Sequence, residues 1–136
     1  MATKTETSIL RTSRAFAGYS VDDVAKAKQF YADTLGLDAR EEEMGLSLHL
    51  GAGAPVFLYP KPDHRAATFT VLNFPVDDID ETVAWLESRG VRFEHYGGDI
   101  QTDARGVYRG RASNRGPDIA WFKDPAGNIL SVLQEK

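Results

Sequence analysis

An α+β fold built from two βαβββ units in tandem is what this sequence predicts, and three observations carry the prediction. Two heptapeptides, "YSVDDVA" at 19–25 and "FPVDDID" at 74–80, repeat an aromatic residue, a spacer, Val-Asp-Asp and a β-branched residue 55 positions apart. Each copy opens an amphipathic helical pattern that stops at a glycine, Gly36 or Gly90. Each helix is followed by three short extended segments. A single Val-Asp-Asp reads as a helix cap and nothing more. Two of them, each after a strand and before a helix of similar length, read as duplication of one unit.

The elements follow in order. Residues 1–13 are polar and aperiodic and read as a loose, flexible arm. "AFAGYS" (15–20) reads as a strand. In "VDDVAKAKQFYADTLGL", Asp22 is placed to cap a helix whose apolar positions Val24, Ala27, Phe30, Tyr31 and Leu35 are spaced by three and four. Extended segments follow at 38–43, 46–50 and 56–59, the last two joined by the turn "GAGAP". The second half runs "ATFTVLNF" (67–74), a helix capped by Asp77 with Ile79, Val83 and Leu86 on one face, then strands at 91–96, 118–123 and 129–134. The last two hinge on "DPAGN" (124–128), where Pro and Gly set the turn. The domain is therefore 14–136, in halves of about 14–60 and 66–134.

Composition narrows the function. With 136 residues, 42% of them apolar, the chain can bury one core. A net charge of −4 gives the surface no attraction for a phosphate backbone or an anionic membrane, so neither nucleic acid nor membrane is an expected partner. The absence of cysteine removes disulfides, thiolate nucleophiles and sulfur-ligated metal centres, with the cytoplasm as the expected compartment. No apolar run suits a signal peptide or a bilayer span. "GAGAP" lacks the Gly-Lys-Ser/Thr of a phosphate loop, and no nucleophile elbow accompanies any serine.

The paired βαβββ units, "FYADTLGL" closing the first helix, and "AWFKDPAGNILSV" near the C-terminus together resemble the vicinal oxygen chelate superfamily over residues 14–134. That group includes glyoxalase I, the extradiol dioxygenases, and the bleomycin and fosfomycin resistance proteins. The resemblance implies a curled mixed sheet around a cavity, with a helix on the convex side of each half. It also implies a homodimer with cavities near the interface. In metal-using members a His, Gln or Glu projects into the cavity from the first and last strand of each half. The matching positions here are Phe16, Val71, Ser131, and Leu58 or, one residue on, Tyr59. None of these is a plausible ligand set for a divalent ion. His49, His64 and His95 have no paired-ligand spacing either, so no metal and no other cofactor is expected.

Hydrocarbon at those places implies a greasy cavity suited to a small, partly apolar ligand. Its expected lining is Phe16, His49, Leu58, Tyr59, Val71, Asn73, Trp121 and Ser131, although alternation alone leaves open which of Trp121 and Phe122 points inward. A buried Asn73 amide and Ser131 hydroxyl would need partners, either a ligand or ordered water. The stretch 97–117 holds four Arg and two Asp in an acidic protein. Arg105, Arg109 and Arg111 could close over the cavity mouth as an anion-binding lid, or the stretch could be a solvated loop or an arm pairing with a second subunit. Two functions stay open. One is a binding or sequestering module without a catalytic residue. The other is an enzyme, either a metal-dependent lyase or dioxygenase or an acid–base catalyst using His49, Tyr59 or Asp118.

Overall fold

The computed structural model describes residues 8–136. Residues 1–7 of the expected arm lie outside the described residues. Its remainder carries one 3₁₀ turn, Ile9–Thr12, capped by the Ser8 hydroxyl, which accepts the Leu10 N–H at 3.1 Å. Ile9 and Leu10 on this turn are exposed.

Strand β1 (Gly18–Val21) leads into helix α1 (Val24–Lys28), which continues as a π-helical segment, Gln29–Thr34. The cap is Asp23, one residue beyond the expected Asp22, because its carboxylate is the one within reach of the Lys26 N–H (3.1 Å). A widened turn replaces the expected regular α-helix. The Leu35 N–H reaches back five residues to the Phe30 carbonyl (2.9 Å), and neighbouring Phe30 and Tyr31 both turn toward the interior. Gly36, at φ +72°, ends the helix as expected. Strands β2 (Asp38–Glu42), β3 (Gly45–His49) and β4 (Val56–Pro60) complete the first half.

The second half has β5 (Thr70–Pro75) and α2 (Ile79–Ser88), capped by Asp78 rather than Asp77 for the same reason, its carboxylate accepting the Glu81 N–H at 3.0 Å. Next come β6 (Val107–Arg109), β7 (Asp118–Lys123) and β8 (Ile129–Gln134). The expected strand at 91–96 is reduced to one bridge, Phe93 opposite Phe122. The first strand after α2 is formed instead by β6, inside the stretch read as a loop. Val107 faces Ala120 and Tyr108 faces Ile119, so the ladder on β7 is shared between two separate pieces of chain.

Two four-stranded mixed sheets result, ordered β1-β4-β3-β2 and β5-β8-β7-β6, with β1 parallel to β4 and β5 parallel to β8. The two orders match strand for strand, as duplication requires. Their helix-side faces share one core. Tyr19, Val21, Leu46, Leu48 and Leu58 from the first sheet join Tyr31 of the π segment, Val83 and Leu86 of α2, and Ala120, Phe122, Leu130 and Val132 from the second. Each fully buried aliphatic side chain contributes about 1.5–3 kcal/mol. The Phe30 ring lies 6.4 Å from that of Phe122, and Arg89 after α2 donates to the carbonyls of Asp33 and Thr34, satisfying the open end of the first helix. Gly45 has no room for a side chain, since a Cβ there would run into the Leu58 carbonyl. The opposite faces of both sheets are left open.

Candidate functional site

Strand alternation decides which side chains reach the open faces. On the first sheet, Tyr19 and Val21 of β1 and Leu58 of β4 point into the core, which sends Ser20, Phe57 and Tyr59 the other way. Leu58 is therefore corrected. It is fully buried on the helix side, and the outward positions of β4 are Phe57 and Tyr59, whose rings stack at 6.3 Å. Phe16, just before β1, meets Phe57 edge-on at 6.5 Å and is 64% exposed. Three aromatic rings thus form a continuous strip. Farther across this face, Ser47 donates to Glu42 Oε1 (2.8 Å) and lies 3.0 Å from His49 Nε2.

On the second sheet, Phe122 is buried in the core and Trp121 takes the open face, which resolves the alternation. The Trp121 indole N–H donates to Thr70 Oγ1 (3.2 Å), and Tyr96 packs edge-on against the ring at 5.4 Å. Beside it, the buried Ser131 hydroxyl donates to Asn73 Oδ1 at 2.6 Å. These two groups satisfy each other, so the hydroxyl needs neither water nor ligand. Val71 is the extra residue of a bulge between Thr70 and Leu72.

The basic stretch is drawn to the other side of the sheet. Arg109 shares the helix-side face of β6 and β7, where it binds Asp80 at the start of α2 (2.7 and 3.1 Å) and Asp103 (3.0 Å). Arg105 pairs with Glu87 of α2 at 2.8 Å, and Arg111 lies 3.6 Å from Asp118. Arg105 and Arg109 of the expected lid are thus paired with Glu87 and Asp80 of α2 on the helix side, and Arg111 stands beside Asp118 of β7. Asp118 also leaves the list of candidate acids. It is buried on the helix side and accepts the Arg111 N–H at 3.0 Å. The Arg109 guanidinium holds the Asp80 carboxyl below its usual range, and that carboxyl in turn raises Arg109.

Sequence reading missed the place where the two halves meet. Asp124 of the DPAGN turn is buried and accepts four hydrogen bonds, from the Tyr31 hydroxyl (2.7 Å), Asn128 Nδ2 (3.0 Å) and the backbone of Ala126 and Asn128 (both 2.9 Å). Because the Tyr31 proton goes to Asp124, the Tyr19 hydroxyl donates to Tyr31 at 2.9 Å. Burial pushes both tyrosines above their ordinary range, with the neighbouring Asp124 charge adding to it. Asn128 also donates to the Ser20 carbonyl (2.9 Å). His64 completes the junction. Its Nε2–H donates to the Ala126 carbonyl (2.9 Å), and its Nδ1 is hydrogen-bonded to the Ser20 hydroxyl (2.6 Å). The pairing of Pro-Gly turn chemistry with a flanking Asp and Asn was visible in "DPAGN"; its partner Tyr31, 93 residues earlier, was not.

Above this junction lies a cleft of about 350 Å³ between β1 and β5, bounded by Ser20, Tyr59, Arg65, Phe69, Val71 and Asn128. It brings Tyr59 and Val71 together from different halves.

These features define a class. Residues 14–132 match the model of the Glyoxalase/Bleomycin resistance protein/Dioxygenase superfamily, and the chain belongs to that family. Among individual proteins, it is 32% identical over 127 residues to the uncharacterized protein YaeR of Escherichia coli strain K12, a match covering 83% of this chain and 88% of that one. The fold is similar to that of TnmS3, an antibiotic binding protein from Streptomyces sp. CB03234, with 25% identity, a TM-score of 0.61, and coverage of 89% of this chain and 93% of that one. It is also similar to a lactoylglutathione lyase from Agrobacterium tumefaciens, with 20% identity, a TM-score of 0.60, and coverage of 90% and 93%.

The donor set at the family's metal positions does not fit an ion. Phe16 and Val71 offer hydrocarbon, Tyr59 a phenol within an aromatic strip, and Ser131 a hydroxyl already donated to Asn73. Among the described residues, no group of three or more His, Asp or Glu side chains is arranged to hold a metal ion.

Proposed function

We propose that this chain captures a small molecule with a planar, apolar body against the open faces of its sheets, as a homodimer and without a metal ion. One observation carries the reading: the strip of Phe16, Phe57 and Tyr59 stands uncovered on a face where metal-using relatives of this fold would place donors. Exposed aromatic surface of this extent is costly to leave in water and marks a binding surface. The aromatic rings supply stacking area, and Asn73 beside the Ser131 hydroxyl supplies a polar group for orientation. TnmS3, described as an antibiotic binding protein, supports capture as a use of this fold. A second copy of the chain, laid across the open faces, completes the walls that one copy leaves missing. The cysteine-free sequence fits a cytoplasmic setting.

Thermal-shift screening of antibiotics, aromatic metabolites, thiol adducts and divalent metals tests this. Aromatic compounds should raise the melting temperature by mass action, and Phe57→Ala should remove the effect. A stoichiometric divalent ion that survives dialysis would overturn the metal-free part of the reading. Turnover of any hit that disappears in His49→Ala would move the protein to the enzyme class.

A further inference from the structure

Half of the other described basic residues sit in ion pairs, and Arg65 does not. Lys28, Arg40, Lys61, Arg105, Arg109, Arg111 and Lys123 each have a carboxylate beside them. Arg65 pairs with no carboxylate among the described residues, and it lines the cleft between β1 and β5. Among the described residues, no Asp or Glu lines that cleft. Its walls are the Tyr59 and Phe69 side chains, 39% and 68% exposed, with Val71 and Thr70 between them.

The backbone that carries Arg65 is held in place. The adjacent His64 is tied by its two ring nitrogens to Ser20 of the first half and to the Ala126 carbonyl of the second, and its N–H is bonded to the Lys61 carbonyl at 3.0 Å. An arginine with no partner acid, on an anchored loop beside aromatic walls, has the character of an anion anchor. Anchoring reduces the ordering cost of binding.

We propose that this cleft takes a one-ring aromatic anion, its carboxylate or equivalent oxyanion on Arg65 and its ring between Tyr59 and Phe69. This rests on the capture reading above and narrows it to a ligand class. A volume of about 350 Å³, at the small end of the range for ligand pockets, accommodates a single ring with a short acidic arm. The arginines of the 97–117 stretch play no part.

Isothermal titration with a panel of benzoates and phenylacetates, each paired with its neutral amide, tests the proposal. For the wild-type protein at low salt, acids should bind at least ten-fold more tightly than their amides, with acetate alone far weaker. Arg65→Gln should bring the acid-to-amide ratio close to one while leaving amide affinity unchanged, and raised salt should erode the acid's advantage. Equal binding of acid and amide to the wild type would defeat the anion anchor and leave aromatic capture standing. Binding of neither would count against capture at this cleft as well. Sedimentation of the same variant supplies the remaining arm. Should Arg65→Gln dissociate a dimer while the acid preference persists, Arg65 belongs to a subunit contact and the proposal fails.

Discussion

Tyr31 shows how one hydroxyl can matter more than the ring that bears it. It sits fully buried between Tyr19 and Asp124, passing its proton to the carboxylate and receiving one from Tyr19. Tyr31→Phe keeps the ring contacts with Phe30 but leaves the Tyr19 hydroxyl without an acceptor and Asp124 with one bond fewer. The expected loss is about 1–3 kcal/mol of unfolding free energy, read from the midpoint of a urea titration at unchanged slope. Tyr19→Phe should cost less, because only the end of the chain of hydrogen bonds is removed. Sequence periodicity identified Tyr31 as a core position, correctly, and had no means of finding its polar partner. Periodicity reports which face a residue occupies; the identity of a partner 93 residues away depends on how the halves dock.

At the scale of elements, charge decided what composition left open. The arginines of 97–117 were legible as an excess of positive charge, yet a local count cannot reveal that Asp80 and Glu87 of α2 lie within reach of Arg109 and Arg105. The small strand β6 was hidden for a related reason. Val107–Arg109 is only three residues between glycines, too short for alternation to register, and its partner β7 supplies the order. Elements with caps and turns of their own fared better: α1, α2 and the β7–β8 hairpin carry their boundaries in Asp, Gly and Pro, each with a local geometric reason. One pH effect belongs here. Asp80 is held below its unfolded-state value by Arg109, so its contribution is present above about pH 4 and is lost as pH falls through the lower folded-state value. Arg109→Gln should therefore lower stability at neutral pH and flatten this part of the acid limb, as measured by urea midpoints across pH 2–6. Both carboxylate and guanidinium are partly exposed, which keeps the expected change small.

For the whole molecule, the outcome turns on having two sheets that share their helix-side faces and leave the other faces uncovered. The duplicated architecture was readable because both units repeat the same signals in the same order. The facing of the candidate residues was readable only in part: Phe16, His49, Tyr59, Val71, Asn73, Trp121 and Ser131 lie on the open faces or along the cleft, whereas Leu58, Arg105 and Arg109 lie on the helix side. A one-residue slip in register exchanges the faces of a strand, which is the whole difference between Leu58 and Tyr59. Uncovered aromatic surface should also govern assembly. Analytical ultracentrifugation is expected to show a dimer, and Phe16→Ser combined with Phe57→Ser should shift it toward monomer without loss of far-ultraviolet circular dichroism. A wild-type monomer at all concentrations would contradict the proposed completion of the cavity by a second copy.

The Asp124–Asn128 turn has a consequence for how the protein is made. It supplies the partner for Tyr31 and the donor for the Ser20 carbonyl, so the opening βαβββ unit stays incomplete until residues 124–128 have been translated. A nascent chain paused midway would hold a half-built module with its tyrosine hydroxyls unmatched, and stable structure should arise only once that turn has emerged from the ribosome, both modules consolidating together.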